Sequence, residues 1–532
     1  MSSSISIYDT TLRDGTQGEG VSFSVADKLQ IVRKLDELGI QYVEGGWPGS
    51  NPKDAEFFAQ ARGLSLSQAT LAAFGSTCRP KSRPESDANL LALVEAGTRA
   101  VTIVGKSWDL HVNQVLETTL AENLRIILES VAFLKSKGLT VFYDAEHFFD
   151  GFKANESYAL STLKAAADGG SDCIILCDTN GGSLPAQVSE ICRRVTETVS
   201  TPLGIHAHND GELAVANTLA AVDAGITQVQ GTMNGYGERC GNANLCSIIP
   251  NLTLKMGRPT LAGGELSRLA EVSRYVSELA NLAHNHQLPY VGASAFAHKG
   301  GLHVAATMKC EESYQHINPA LVGNTRRVLV SELSGRGNIV YKAQELGLET
   351  LSKARAQAVL ARVKDLESKG FQFEGAEASF QLLLFRSQET YHPPFELVDF
   401  LVVVEKHRRP SKRSDEALAE AMVKVRVAGE EVHTAAEGNG PVNALDQALR
   451  KALAQFYPAV NEVRLTDYKV RILNEGAGTE ALIRVLIESR AGEDVWNTVG
   501  SSTNVIEASW LALVDSLEYW LLKQRKGQQP DT

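Results

Sequence analysis

One feature constrains this chain more than any other. From residue 5 to about residue 255, short apolar β-branched runs alternate with segments of helical period. The strand candidates are 5–8, 41–44, 70–74, 100–104, 140–143, 173–176, 203–206 and 228–231. Helix candidates fall between them at 24–38, 88–96, 116–137, 156–167, 186–199 and 212–224. The first has Ser24 as an N-cap candidate and Gly39 as its stop. About eight such units in about 250 residues predict an α/β (β/α)8 TIM barrel. A doubly wound open sheet is the other arrangement of alternating units, but its glycine-rich dinucleotide turn is absent after the first strand. In that place stands Tyr8-Asp9-Thr10-Thr11-Leu12-Arg13-Asp14-Gly15.

Polar residues collect at one end of the predicted strands. Arg13 and Asp14 follow the first, and Glu44 ends the second as a candidate substrate contact. Glu146 and His147 follow the fifth, and Asp178-Thr179-Asn180 follows the sixth. His206 and His208 finish the seventh, and Asn234, Glu238, Arg239 and Asn242 follow the eighth. That is the C-terminal face, where barrel enzymes assemble their chemistry.

His206-Ala207-His208 is the sharpest metal signal, because residues two apart on a strand face the same way. Adding a carboxylate gives a two-histidine, one-carboxylate set suited to a divalent ion with open positions. Asp14 is the best candidate, since strands one and eight are neighbours in a closed barrel, with strand seven next; Asp9 competes. Asn242 offers a neutral oxygen, and the mixed oxygen/nitrogen sphere favours Mg²⁺, Mn²⁺ or Zn²⁺. Arg13 would neutralise a substrate carboxylate or a developing oxyanion, or else form a salt bridge to Glu146 or Asp178. Glu146 is placed to act as acid or base. A metal beside Arg13 describes a site for a 2-oxo acid.

The chain of 532 residues is long for one core. A barrel over 1–257 is expected to be followed by a mostly helical linker region at 258–379. That linker carries loops at His298-Lys299-Gly300-Gly301-Leu302-His303 and Ser334-Gly335-Arg336-Gly337-Asn338. From about 380 to 524 the texture changes to longer alternating strands, with candidates at 397–405, 421–427, 463–472 and 481–487, and 525–532 is expected as a disordered tail. Here Gly429-Glu430-Glu431-Val432-His433-Thr434, running into a helix at 444–453, recurs about 63 residues later. The second copy is Gly492-Glu493-Asp494-Val495-Trp496-Asn497, running into a helix at 508–517. Two copies of strand, turn, strand, loop and helix predict a pseudo-twofold α+β domain. Its glycine loops, around Gly438, Asn439 and Gly440 and around Gly476 and Gly478, either receive a small ligand or are tight turns.

The net charge of −11 argues against broad nucleic-acid binding. Seven cysteines without framework spacing suit reduced thiols, with Cys173 and Cys177 read as packing residues. No basic segment leads an apolar run at the N-terminus, and no apolar run is long enough to span a bilayer, so a cytoplasmic setting is expected.

Three motifs carry a family resemblance: 9–15 (Asp-Thr-Thr-Leu-Arg-Asp-Gly), 206–210 (His-Ala-His-Asn-Asp) and 235–242 (Gly-Tyr-Gly-Glu-Arg-Cys-Gly-Asn). They resemble the signatures of the metal-dependent aldol/Claisen barrel family. That family includes the 2-isopropylmalate, homocitrate and citramalate synthases and the 3-hydroxy-3-methylglutaryl-CoA lyases. The C-terminal repeat is similar to the amino-acid-sensing regulatory domain of the synthases. Residues 43–52, 144–151 and 298–303 look most like the citramalate synthase branch. His303 is followed by Val304 and Ala305, where the isopropylmalate branch has His-Gln-Asp.

The resemblance implies Asp14, His206, His208 and Asn242 as metal ligands. It implies Arg13 on the 2-oxo acid, Thr179 on its carboxylate, and Glu146 as the catalytic glutamate. His303 and Tyr314 would reach the site from the linker, often from the other subunit. It further implies acetyl-CoA and pyruvate as substrates, a homodimer, and feedback by isoleucine or leucine, with Glu146, His303 or an activated water as the base. A larger 2-oxo acid, carbon–carbon cleavage, and a metabolite sensor with an inactive barrel are the competing readings.

Overall fold

A computed structural model describes residues 4–347, 351–405 and 418–527. These form two compact units, one of residues 1–296 with 317–326, the other of 297–316 with 327–532.

The first unit is a closed parallel barrel. Its strands are β1 (Ser6–Asp9), β2 (Tyr42–Gly46), β3 (Thr70–Ser76), β4 (Ala100–Lys106), β5 (Thr140–Glu146), β6 (Cys173–Asp178), β7 (Leu203–Ala207) and β8 (Gln228–Gly231). They pair in sequence order, and β1 closes on β8 through Ser6↔Gln228 to Asp9↔Gly231. The helices between them form as their ends dictate. Ser24 caps Val25–Leu38 in a reciprocal box with Asp27, and Gly39 ends it at φ 93°, a left-handed position where a side chain would be strained.

Inside the barrel, Tyr8, Ala72, Ala100, Phe142, Cys173, Ile175 and Cys177 pack together, with the Tyr8 and Phe142 rings edge to face at 5.6 Å. Cys173 and Cys177 are thus packing residues, and all seven cysteines are free thiols. Above this apolar layer sits a buried polar one of Glu44, Thr102, Asp144 and Gln230. The outer core extends past residue 257, where the barrel alone was expected to end. Leu269, Val272 and Val276 of helix Leu269–Leu279, together with Tyr290, Val291 and Phe296, pack into it.

The second unit begins with a short pair, β9 (Ala297–His298) and β10 (Arg327–Val328), and four α-helices, Gly301–Thr307 (which takes in His303), Arg336–Glu345, Lys353–Ser368 and Glu377–Arg386. Then come two three-stranded antiparallel sheets. The first holds β11 (Glu396–Glu405), β12 (Leu418–Val427) and β13 (Glu430–Gly438); the second holds β14 (Arg464–Ile472), β15 (Ile483–Ala491) and β16 (Asp494–Ser502). Each sheet carries a helix, Pro441–Leu453 and Val505–Gly527.

The repeat is therefore one strand richer per copy than its sequence periodicity indicates. Its copies match in detail. Thr434 Oγ1 donates to Ala448 O at 2.7 Å and Thr498 Oγ1 to Ala512 O at 2.8 Å, each tying a strand to its helix. The last helix runs to Gly527, three residues into the stretch expected as a tail; residues 528–532 lie outside the described set. No described helix is long and apolar enough to cross a membrane.

Candidate active site

The C-terminal ends of the barrel strands surround a cavity of about 210 Å³. Its walls include Arg13, Asp14, Trp47, Phe74, Asp144, Glu146, Thr179, His206, His208 and Arg239. Asp14 is held in the turn after β1, where its N–H and that of Gly15 donate to Thr10 O at 2.8 and 3.1 Å. His206 lies on β7, and His208 follows it on the same face. Asn242 arrives because the loop after β8 folds back along β7. His208 and Asn242 form an isolated antiparallel bridge, and Ala243 N–H donates to Ala207 O at 2.9 Å.

Four side chains converge on one point. Asp14 Oδ2 is 3.0 Å from His206 Nε2, which is 3.4 Å from His208 Nε2. Asp14, His206 and His208 place their ligand atoms within 4.8 Å of one another, all buried. The Asn242 amide presents Nδ2 to Asp14 Oδ2 at 2.6 Å and lies 3.1 Å from His206 Nε2, while its Oδ1 is buried with no partner. Turning that amide over brings an oxygen to the convergence point, giving two nitrogens and two oxygens. This donor set fits a divalent cation. Gly237 makes the approach possible, because a Cβ there would stand 1.9 Å from Asn242 Oδ1.

The electrostatics fit a cation as well. Burial would raise the Asp14 carboxyl, but the Arg13 guanidinium and then His206 hold it well below the usual carboxylate range. Burial would lower His206, and the hydrogen bond and charge of Asp14 more than reverse that. Burial, followed by the charge of His206, lowers His208 to about 4, so at neutral pH its imidazole is unprotonated.

Arg13 is organised from beneath. Its Nε donates to Glu44 Oε1 at 2.5 Å, its Nη1 lies 3.2 Å from Asp14 Oδ1, and its guanidinium carbon sits 3.8 Å from the centre of the Phe74 ring. Glu44 is fully buried and accepts the Tyr8 hydroxyl at 2.7 Å on its other oxygen. Two expectations meet a different geometry. Arg13 pairs with Glu44 and Asp14, not with Glu146 or Asp178, and Glu44, expected as a substrate contact, lies fully buried beneath Arg13 and is not part of the cavity wall. Asp9 likewise stays out of the ligand cluster, since its oxygens take the N–H and hydroxyl of Thr11 at 2.9 and 2.8 Å.

Thr179 Oγ1 accepts the His147 N–H at 2.9 Å, leaving its own proton to donate into the cavity that it lines. Glu146 forms an ion pair with Lys106, its register partner at the end of β4. A lysine ending a strand reads in sequence as a surface residue, so Lys106 was not singled out. Gln230 and Asp144 went unnoticed for the opposite reason, lying within strands that read as core.

His303 and Tyr314 belong to the second unit, where their rings stack at 4.4 Å. Gly438, Asn439 and Gly440 form the turn from β13 into helix Pro441–Leu453. Gly476 and Gly478 lie in the single turn Glu475–Glu480 between β14 and β15.

Comparison with known proteins covers nearly all of the chain. The HMGL-like family model matches residues 4–276. The homocitrate synthase post-HMGL domain-like model matches 290–370, and the LeuA allosteric (dimerisation) domain matches 374–521. The chain is 55% identical over 523 residues to an (R)-citramalate synthase of Geobacter sulfurreducens, covering 98% of each chain. It is 52% identical over 530 residues to one from Aquifex aeolicus (99% of each) and, over the same length, to one from Synechocystis (97% of this chain and 96% of that one). This chain belongs to the (R)-citramalate synthase family. It is accordingly an enzyme of the acyl-transferring, carbon–carbon bond-forming type, built as a TIM barrel with a C-terminal regulatory-type domain. The Asp14/His206/His208 cluster is its candidate metal site.

Proposed function

We propose that the chain condenses acetyl-CoA with pyruvate and water to give (R)-citramalate and CoA. The observation that carries this reading is the convergence of Asp14, His206, His208 and Asn242 beside a buttressed guanidinium in a small cavity. Bound there, a Mg²⁺, Mn²⁺ or Zn²⁺ ion would supply Lewis acidity toward the carbonyl of a 2-oxo acid. Arg13 is placed to meet the negative charge of the substrate and of the alkoxide that develops from its keto oxygen. Thr179 donates its hydroxyl proton to the substrate carboxylate. Trp47 and Phe74, whose rings meet edge to face at 5.3 Å, wall the cavity and favour a small alkyl group.

In the condensation, the acetyl methyl carbon loses a proton and bonds to the keto carbon, whose oxygen takes up a proton. Water then adds to the thioester carbonyl and the CoA thiol leaves. Glu146, at the cavity wall, is the first unit's proton acceptor; His303 is the second unit's candidate, with Tyr314 stacked on it. Exchange of the acetyl-CoA methyl protons with D₂O separates them: exchange lost in Glu146→Gln and kept in His303→Ala assigns the base to Glu146.

The C-terminal domain is proposed to hold two chains together and to bind isoleucine near the 438–440 and 476–478 turns. A cytoplasmic role in isoleucine biosynthesis follows from that reaction. Chiral chromatography of the product from acetyl-CoA and pyruvate tests the reaction, and titration of isoleucine against the full chain tests the regulation. An absence of (R)-citramalate, or a rate indifferent to isoleucine, overturns the corresponding claim.

A further inference from the structure

A line of three buried side chains leads from the wall of the cavity to the metal-facing cluster. Gln230 Oε1 lies 2.8 Å from His206 Nδ1, and Gln230 Nε2 donates to Asp144 Oδ1 at 3.2 Å. Gln230 is fully buried and Asp144 and His206 nearly so. The opposite nitrogen of His206, Nε2, faces Asp14, Asn242 and His208.

A neutral imidazole carries one proton and one lone pair, and the hydrogen bond at one nitrogen decides which faces the other way. An amide can present an oxygen or an NH₂ to that nitrogen, and flipping it exchanges the two. Gln230 alone would therefore leave the tautomer of His206 open. Asp144 in its ionised form removes the ambiguity. An ionised carboxylate only accepts, so the NH₂ of Gln230 must face it and the amide oxygen must face His206. Nδ1 then carries the proton, and the Nε2 lone pair points at the convergence point. The reverse orientation sets the amide oxygen against a carboxylate oxygen, both buried.

We infer that Gln230 and Asp144 are positioning residues that fix His206 in the metal-binding tautomer, Asp144 acting through Gln230. The inference rests on the reading of Asp14, His206, His208 and Asn242 as a metal site, and adds to it how a neutral amide does the orienting work usually given to a carboxylate or a backbone carbonyl. Within the polar layer the arrangement is specific. Glu44 is taken up by Arg13 and Tyr8, and Thr102 by Tyr8 at 2.5 Å, so neither serves His206.

The test is Mn²⁺ binding to the purified, metal-stripped full chain, read from the electron paramagnetic resonance signal of free Mn²⁺ and needing no turnover. Burial, then the charge of Glu44, push Asp144 up to about 7, so the titration is run at pH 8, where the ionised form predominates. Four variants are compared. Gln230→Met keeps the volume and removes both hydrogen bonds. Gln230→Glu keeps an acceptor for Nδ1–H. Asp144→Asn lets both amides turn over, and His206→Ala removes the ligand.

The expected result is a dissociation constant about 10- to 100-fold weaker in Gln230→Met. A smaller weakening is expected in Asp144→Asn, with Gln230→Glu binding more tightly than Gln230→Met. Wild-type affinity in a folded Gln230→Met, with loss in His206→Ala, overturns the relay and leaves the metal site standing. Equal affinity in wild type and His206→Ala overturns the metal site itself. Should Gln230→Met not fold, Asp144→Asn decides: if that variant binds Mn²⁺ as tightly as wild type, the relay is wrong.

Discussion

Glu44→Gln probes the support under Arg13 and is the most informative single change in the barrel. In the wild type a fully buried carboxylate takes Arg13 Nε at 2.5 Å and the Tyr8 hydroxyl at 2.7 Å. Glutamine preserves the shape and one acceptor, removes the charge, and turns an NH₂ toward Tyr8. Breaking a buried pair from one side costs about 3–5 kcal/mol. Part of that is offset, because the Glu44 charge also pushes against Asp9 and Asp144. The net loss is about 2–3 kcal/mol, which for a unit of this size lowers Tm by about 3–5 °C.

Arg13 then keeps Asp14 as its only carboxylate partner among those described and is expected to shift toward it, away from the proposed substrate position and toward the proposed metal site. A displacement of about 1 Å at a substrate-orienting group costs about 100-fold in kcat/KM. Differential scanning fluorimetry and CoA-thiol release with varied pyruvate measure both effects. A variant with unchanged kcat/KM would refute the argument that Glu44 organises Arg13, whatever its Tm.

Three further changes follow from the same geometry. Gly237→Ala places a methyl group where Asn242 Oδ1 sits, at 1.9 Å, and is expected to weaken Mn²⁺ binding at least 10-fold in equilibrium titration, roughly the loss of one ligand's support. Asp9→Asn tests burial of a carboxyl that the low-dielectric interior raises to about 7 despite the hydrogen bonds from Thr11. A raised carboxyl is unpenalised below its unfolded value near 4, and stability falls as pH rises toward 7. The variant should therefore gain on the wild type by up to about 4 kcal/mol between pH 4 and pH 8 in urea unfolding, and a pH-independent difference would refute it. Thr498→Val removes the bond to Ala512 O and should cost about 1–2 kcal/mol in the second unit alone, leaving metal binding intact.

The barrel was legible because its signal is local and repeated. Each strand declares itself by an apolar run, each helix by its period and caps, and the polar residues at the strand ends mark the active face. The convergence of Asp14, His206 and His208 was legible for a related reason: His206 and His208 are two apart on a strand, and strand neighbourhood then selects Asp14. What lies beneath the site was not. The partner of Arg13 is Glu44, 31 residues away on the neighbouring strand, and charge alone favoured Glu146 or Asp178 equally. Gln230 and Asp144 meet across the barrel interior although they are 86 residues apart in sequence, which no sequence period reports. β11 and β14 were legible as the alternating runs 397–405 and 463–472, but they precede the segments where the two copies are most alike, so the repeat unit reads with two strands where the structure has three.

The central claim is that the Asp14, His206, His208 and Asn242 cluster with Arg13 condenses acetyl-CoA with pyruvate in a metal-dependent way. CoA release measured with pyruvate, 2-oxoisovalerate and 2-oxoglutarate, with and without EDTA, tests it most directly. The account predicts preference for pyruvate, loss of turnover in EDTA, and recovery on adding Mn²⁺ or Mg²⁺. Turnover that survives complete metal removal, or a preference for either larger acid, would contradict it.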